Sequence, residues 1–240
     1  DTTILPYNGF HDAGQGAPFL DISTIIFDWD QTLLDSWSVH RDALQHAARA
    51  QGVEPPDEKT VQLTFSGTLE GQIRTLFGEP KPFLAPYQEY YRAHHTTQTA
   101  LFPGVSTLLL SLQERSFRLA ILSNKTRRTA VEEMEATGVL QAFDLMVFRD
   151  DLGSMKPDPE GLQALLSSFE TAPHETLLVG DSPSDMVAAR AAGVWSAAAL
   201  WGSLDVEEVL AQRPSITWHK VQEALRFCIN LPFLESNIKG

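Results

Sequence analysis

Residues 24–32 have the sequence TIIFDWDQT, in which a short apolar run leads directly into a pair of aspartates. The run lacks the alternation of a half-exposed strand, which is typical of a strand buried on both faces of a parallel sheet. Open α/β sheets bind ligands just beyond the carboxyl ends of their strands. Asp28 and Asp30 are therefore predicted to lie at a ligand-binding edge.

Similar apolar runs recur along the chain and alternate with helical patterns. Strand–helix alternation of this kind predicts an α/β fold with a doubly wound parallel sheet. The further strand candidates are residues 119–122, 145–148, 177–179 and 196–200, and the helix candidates are residues 105–114, 129–137, 159–169 and 184–192.

The segment between the first two strands is too long for a single crossover connection. It contains helical patterns at residues 39–50 and 83–95, so we expect a small α-helical domain inserted after the first strand. The first 20 residues hold three glycines and two prolines and show little periodicity, which predicts an extended arm. The predicted domains are an arm at 1–20, a core at 21–35 and 101–240, and a helical insertion at 36–100.

Composition narrows the partners of this chain. A formal net charge of −13 repels phosphate backbones and argues against nucleic acid as a partner. No uninterrupted apolar run reaches the ~18 residues of a membrane helix, and no signal-peptide pattern is visible, so we expect no membrane partner and a cytoplasmic location. The single cysteine, Cys228, excludes an internal disulfide and is predicted to be a packed small residue.

Acidic groups also follow another predicted strand, at Asp181 and Asp185. If they converge with Asp28 and Asp30 at the same sheet edge, the four carboxylates would repel one another unless a cation lies among them. Oxygen ligands without other donor types suit Mg²⁺. The sequence therefore predicts a magnesium site.

Phosphate-compatible groups accompany these acids. Ser123 and Asn124 can donate hydrogen bonds to phosphate, and Lys156 can supply a fixed positive charge just before a helix. The spacing of Asp28 and Asp30 suits covalent phosphoryl transfer, in which one carboxylate attacks phosphorus. The other carboxylate would protonate the leaving oxygen and later activate water.

These motifs, in this order, resemble those of the haloacid dehalogenase superfamily, and the resemblance covers about residues 21–230. Residues 28–32 look like the DxDx(T/V) signature, Ser123-Asn124 like the second motif, and Lys156-Pro157 like the third. Residues 180–185, GDSPSD, look like the fourth motif, GDxxxD. The sequences FPGV at 102–105 and AGV at 192–194 are similar to phosphoglycolate-phosphatase-type members.

The resemblance implies a role for each motif residue. Asp28 would be the nucleophile and a Mg²⁺ ligand, and Asp30 the general acid/base that also offers its backbone carbonyl to the metal. Asp181 would be the third protein ligand, with Asp185 supporting its loop. Residues 36–100 would be a helical cap that closes over the site. The phosphate would be held by Thr32, Ser123, Asn124 and Lys156.

Four further residues are candidates for substrate specificity. Trp29 is predicted to be either core packing or pocket wall. Gln31 stands where many relatives have glycine, so its side chain could reshape the loop or enter the pocket. Gly67, with a helical run containing Arg74 after it, resembles a specificity loop, although a plain turn fits equally.

Lys125 and the neighbouring arginines at 127–128 are predicted to be a solvated helix start.

The sequence thus predicts a Mg²⁺-dependent phosphatase of the phosphoglycolate-phosphatase type that hydrolyses a small phosphate monoester through an aspartyl phosphate. Its partner would be a small phosphorylated metabolite. Two alternatives remain open at this stage. A phosphomutase of the same fold would use the same Asp28 chemistry, and a non-enzymatic protein would retain the fold for binding alone.

Overall fold

The computed structural model describes residues 3–4, 21–65 and 68–231. The predicted N-terminal arm, apart from residues 3–4, and the specificity candidate Gly67 lie outside the described residues. The chain divides into two compact units, one formed by Asp1–Leu34 with Leu101–Gly240 and the other by Asp35–Ala100.

Nine strands are present in the described part of the chain. They are β1 (Thr3–Ile4), β2 (Thr24–Phe27), β3 (Leu34–Asp35), β4 (Ala100–Leu101), β5 (Arg118–Ser123), β6 (Leu145–Phe148), β7 (Thr176–Gly180), β8 (Trp195–Ala199) and β9 (Ile216–Trp218). Seven of them form one sheet in the order β1-β9-β8-β7-β2-β5-β6, and β3 pairs with β4 separately. Within the seven-stranded sheet, β1 is antiparallel to β9 and the other six strands run parallel.

Ten α-helices connect or flank these strands. They are α1 (Trp37–Ala50), α2 (Glu58–Leu63), α3 (Leu69–Phe77), α4 (Lys81–His94), α5 (Val105–Glu114), α6 (Arg127–Thr137), α7 (Glu160–Phe169), α8 (Pro183–Ala192), α9 (Val206–Ala211) and α10 (Val221–Asn230), all within the described ranges. Short 3-10 turns occur at Leu140–Ala142, Arg149–Asp151 and Pro173–Glu175. The predicted α/β fold with a doubly wound parallel sheet is confirmed. The sequence pattern missed two strands of this sheet, the three-residue β9 and the two-residue β1, which lies within the predicted N-terminal arm.

Strand β2 is an inner strand of the sheet, between β5 and β7, with Phe27 opposite both Ile121 and Val179. Its side chains alternate between the two faces of the sheet, as strand geometry requires. Ile25 and Phe27 pack into the cluster that contains α5, α6 and α10, whereas Ile26 packs against α7 and α8. Both faces of β2 are therefore covered, which explains its uninterrupted apolar sequence.

The second unit, Asp35–Ala100, is helical. On α1 the buried residues Ala43, Leu44 and Ala47 recur at the spacing of one helix face. They share an apolar cluster with Phe83 and Tyr87 of α4. This unit matches the predicted α-helical insertion after the first core strand.

Two expectations from composition can be compared with the structure. In the described parts of the chain, none of the helices combines the length and the apolar character that crossing a bilayer requires. Cys228 lies buried in the core on α10, and burial raises the pKa of its thiol to about 12. The prediction that Cys228 is a packed small residue is confirmed.

The backbone of the turn after β2 packs closely against a glycine that lies far away in the sequence. Gln31 has a φ of +57°, in the left-handed region, and its backbone N–H donates to the carbonyl of Leu34 at 2.7 Å. Gly202, just after β8, lies so close that a Cβ atom there would overlap the carbonyl oxygen of Gln31 and press on the ring of Phe102. The absence of a side chain at Gly202 thus allows this turn to form.

We expect Gly202→Ala to lower the free energy of unfolding by roughly 1–3 kcal/mol, because the added methyl group meets backbone that cannot move aside. The matched control is Gly153→Ala, where the nearest atoms to a new Cβ lie 3.5 Å away, on the flexible side chain of Glu160. Denaturant unfolding of both variants checks the prediction. Equal stability of the two variants would contradict it.

Candidate active site

Three aspartates converge at the carboxyl edge of the sheet. Asp28 follows β2, Asp181 follows β7, and Asp185 lies in the first turn of α8. Carboxylate oxygens of the three lie within 4.8 Å of one another, and all three residues are buried. Asp30 lies in the same loop as Asp28, but its carboxylate forms an ion pair with Lys125 and does not belong to this cluster of three.

Lys156 supplies positive charge to this cluster. Its Nζ lies 2.8 Å from Asp28 Oδ1 and 2.7 Å from Asp185 Oδ1, and it donates to the carbonyl of Leu122 at 2.9 Å. Burial alone would lower the pKa of Lys156, but the carboxylates of Asp185 and Asp28 outweigh it and raise the pKa above its ordinary value. Lys156 therefore remains charged inside the site.

The single positive charge of Lys156 does not neutralise all of the negative charge of the three aspartates. Burial, with a smaller contribution from Asp185, raises the pKa of Asp28 to about 6, although Lys156 opposes the shift. Burial, followed by the charges of Asp28 and Asp185, raises the pKa of Asp181 well above its usual range. A divalent cation among these oxygens would offset the remaining repulsion, and carboxylates are suitable ligands for it. The residues present therefore fit a metal ion.

Asp185 is fixed by the start of its own helix. Its Oδ2 accepts hydrogen bonds from Ser182 N at 3.1 Å and Ser182 Oγ at 2.6 Å, while Oδ1 faces Lys156. Its carboxyl group also lies against Gly180, where a Cβ atom would overlap it. Asp185 thus both caps α8 and orients Lys156, and Gly180 leaves the space for it.

The predicted phosphate ligands lie around the same edge with defined contacts. Thr32 Oγ1 donates to Asp181 Oδ1 at 2.9 Å, and Ser123 Oγ accepts from the backbone N–H of Lys125 at 3.2 Å. Asn124 exchanges two hydrogen bonds of 3.0 Å with the backbone of Lys156, through Oδ1 and Nδ2. Asn124 therefore holds the segment that places the Lys156 ammonium. Phosphate binding by these residues stays a prediction.

The specificity candidates differ in their placement. Trp29 is fully buried within the core, which favours the packing alternative over a pocket wall. Gln31 is also buried. Its φ is positive, a backbone conformation that glycine adopts more readily than other residues, which explains why glycine suits this position in relatives. Arg74 is exposed on α3 of the helical unit. Their roles in specificity remain predictions.

Two charged residues at the site were missed from sequence. The side chain of Lys125 is only 10% exposed, and its Nζ lies 2.7 Å from both Asp30 Oδ1 and Glu133 Oε2. The hypothesis that Lys125 belongs to a solvated helix start was wrong, whereas Arg127 and Arg128 are exposed as predicted. A signal was available, because Glu133 falls on the apolar face of α6 and a buried acid needs a partner.

Known proteins are similar to this chain in sequence. The family described as haloacid dehalogenase-like hydrolase matches residues 25–199. A phosphoglycolate phosphatase from Nitrosospira multiformis is 33% identical over 184 residues, which are 72% of this chain and 81% of that protein. A pyrophosphatase, PpaX, from Oceanobacillus iheyensis is 27% identical over 86% of this chain and 96% of its own length.

A solved structure extends the likeness. A haloacid dehalogenase-like hydrolase from Streptococcus pneumoniae has a TM-score of 0.79 and 27% identity, over 86% of this chain and 98% of that one. This chain belongs to the haloacid dehalogenase-like hydrolase family. It is an enzyme of the phosphatase type within that family, as its motifs predicted.

We expect Gly180→Ala to reduce turnover by at least ~10-fold, because displacing Asp185 moves the Lys156 ammonium, and shifts of about 1 Å in catalytic geometry are costly. The measurement is steady-state hydrolysis, with circular dichroism to verify folding. Gly153→Ala, which adds the same methyl group where there is room, should retain full turnover. If folded Gly180→Ala protein matched it, the close fit would have no importance for activity.

Proposed function

We propose that this protein is a Mg²⁺-dependent phosphatase that hydrolyses a small phosphate monoester through an aspartyl phosphate on Asp28. The observation that supports it best is the position of Asp28. Its carboxylate is buried beside the Lys156 ammonium and next to further carboxylates. Asp30, two residues later, has a side chain held in place by an ion pair. A nucleophile and a proton donor on one loop suit stepwise phosphoryl transfer.

In the first half-reaction, an oxygen of the Asp28 carboxylate bonds to phosphorus as the phosphorus–ester oxygen bond breaks. Asp30, protonated at this stage, gives its proton to the leaving oxygen. In the second half-reaction, the Asp30 carboxylate takes a proton from water while the water oxygen bonds to phosphorus. The bond between Asp28 and phosphorus breaks, which releases phosphate and restores both aspartates.

The carboxylates of Asp28 and Asp181 and the backbone carbonyl of Asp30 would hold the magnesium ion. When bound, it would neutralise charge on the phosphoryl group. Lys156 would bind a phosphate oxygen and would be oriented by Asp185. Thr32, Ser123 and Asn124 complete the proposed phosphate ligands. The domain boundaries 21–35 and 101–240 for the catalytic core and 36–100 for the cap are part of this proposal.

The names of the relatives limit the substrate class. Phosphoglycolate phosphatases and pyrophosphatases are both among the similar proteins, at 33% and 27% identity for the two described above. We propose a small phosphorylated metabolite of the phosphoglycolate type, with pyrophosphate as the second candidate. Hydrolytic relatives favour transfer to water over the phosphomutase alternative. The cytoplasmic location stays a prediction.

We expect phosphate release from at least one member of a panel containing phosphoglycolate, pyrophosphate and sugar phosphates when Mg²⁺ is present. Chelation should abolish the release, and added Mg²⁺ should restore it, because the buried carboxylates need a cation. Colorimetric phosphate detection gives the answer, and product analysis with glucose 1-phosphate tests for mutase activity. Full turnover in excess chelator would exclude the metal-dependent mechanism.

We expect Asp28→Asn to lower turnover by at least ~10³-fold, because it removes the attacking carboxylate. Asp30→Asn should instead form phosphoenzyme from an activated aryl phosphate and break it down slowly. Rapid quench with ³²P-labelled substrate separates the two, since label should accumulate on Asp30→Asn only.

The control is Asp21→Asn, the same change at an exposed position before β2, which should behave as the wild-type protein. Label trapped on Asp28→Asn would assign the nucleophile to another residue. Equal loss of formation and breakdown in Asp30→Asn, with every leaving group, would remove Asp30 as the proton donor.

A further inference from the structure

A buried carboxylate behind the active-site loop contacts that loop directly at Trp29 and reaches Asp30 through Lys125. Glu133, on α6, has no exposed surface, and both of its oxygens accept from Lys125 Nζ, at 2.8 and 2.7 Å. Its Oε2 also accepts from the indole N–H of Trp29 at 2.8 Å. The same Lys125 ammonium donates to Asp30 Oδ1 at 2.7 Å. Glu133 therefore reaches both residues 29 and 30 of the loop.

Packing alone does not account for an acid at this position. Glu133 lies on the α6 face that also buries Ala130 and Met134, where an apolar side chain would fill the space. A buried carboxylate costs free energy unless it is paired and hydrogen-bonded, and a buried ion pair adds little stability over an apolar replacement. The contacts of Glu133 are thus better explained by what they orient than by stability.

The contacts fix direction as well as position. An ammonium group has three N–H donors, and two oxygens of Glu133 together with Asp30 Oδ1 surround that of Lys125. This arrangement restrains the rotation of the lysine and, through it, of the Asp30 carboxylate. The hydrogen bond to Glu133 anchors the Trp29 side chain, which lies between Asp28 and Asp30 in the sequence. One acid therefore sets where the Asp30 carboxylate points relative to Asp28.

We propose that Glu133 and Lys125 are positioning residues that hold the Asp30 carboxyl group in line for proton transfer to the leaving oxygen. The inference rests on the proposed function, in which Asp30 moves that proton. Neither residue contacts the reacting atoms in this scheme. Their loss should therefore affect the step that needs proton donation and leave substrate binding nearly unchanged.

The test compares Glu133→Gln with Glu132→Gln, the same substitution on the neighbouring, solvent-facing residue that pairs with Arg128. The measurement is phosphoenzyme formation in single-turnover rapid quench, with an alkyl phosphate and with an aryl phosphate that has an acidic phenol. For Glu133→Gln we expect formation from the alkyl ester to fall roughly 10- to 100-fold, as in misplaced catalytic groups. Formation from the aryl ester, which needs little protonation, should fall less than about 3-fold. For both esters, the substrate concentration that gives half-maximal formation should change by less than the same factor.

A purely structural role predicts a different pattern. Loss of folded enzyme or a general distortion would slow both esters equally, and that result with active wild-type protein would refute the positioning role while leaving the phosphatase proposal intact. The alkyl phosphate is chosen from the members of the substrate panel that the wild-type protein hydrolyses. Wild-type protein that hydrolyses no member of the panel would overturn the proposed function and this inference with it. Glu132→Gln should match the wild-type protein for both esters, and a selective loss there would also refute the assignment to Glu133.

A second variant covers the case in which Glu133→Gln fails to fold because Lys125 loses its partner. Lys125→Met combined with Glu133→Gln removes both buried charges together, so no unpaired ion is left in the core. Asp30 loses its lysine partner in this variant, but its side chain is 30% exposed and reaches water. This double variant should show the same selective loss with the alkyl ester, and no larger loss than Lys125→Met alone, because the residues act through one path. Additive losses, or equal losses with both esters, would contradict the proposal.

Discussion

The organisation of the site depends on two ion pairs, which the Lys156 ammonium makes with the carboxylates of Asp28 and Asp185. Burial raises the pKa of Asp28 because a charged carboxylate loses hydration, and the adjacent ammonium partly reverses this effect. Most surrounding contacts serve to place that ammonium. Asn124 holds its backbone, the Leu122 carbonyl accepts from its head group, and the loop at Gly180 admits Asp185 beside it.

The sheet provides the rigidity that such a cluster requires. Because β2 lies between β5 and β7 and is parallel to both, residues that follow these three strands emerge side by side at one edge. Both faces of these strands are packed under helices, so the loops start from fixed positions. The sharp turn at Gln31 then directs the chain away, and it forms because Gly202 leaves its backbone undisturbed.

The site contains two polar layers with different chemistry. In the first, Lys156 pairs with Asp28 and Asp185, and Asp181 lies beside these two carboxylates, so negative charge remains that suits a metal ion and a phosphoryl group. In the second, Glu133 and Lys125 reach Asp30 from beneath the loop. Trp29, between the two aspartates, packs in the core while its N–H meets Glu133. The proposed nucleophile and proton donor are therefore held by separate ion pairs.

The sequence by itself determined the parallel sheet and the helical insertion, because strands buried on both faces are uniformly apolar and helix faces repeat regularly. It also determined the family, since the four motifs keep their order along the chain. The tertiary structure alone decided how the polar groups pair. Lys125 looked like a solvated residue until its contact with Asp30, 95 positions away in sequence, was visible. Such long-range ion pairs leave no periodic signal, because they depend on which strand ends and helices lie side by side.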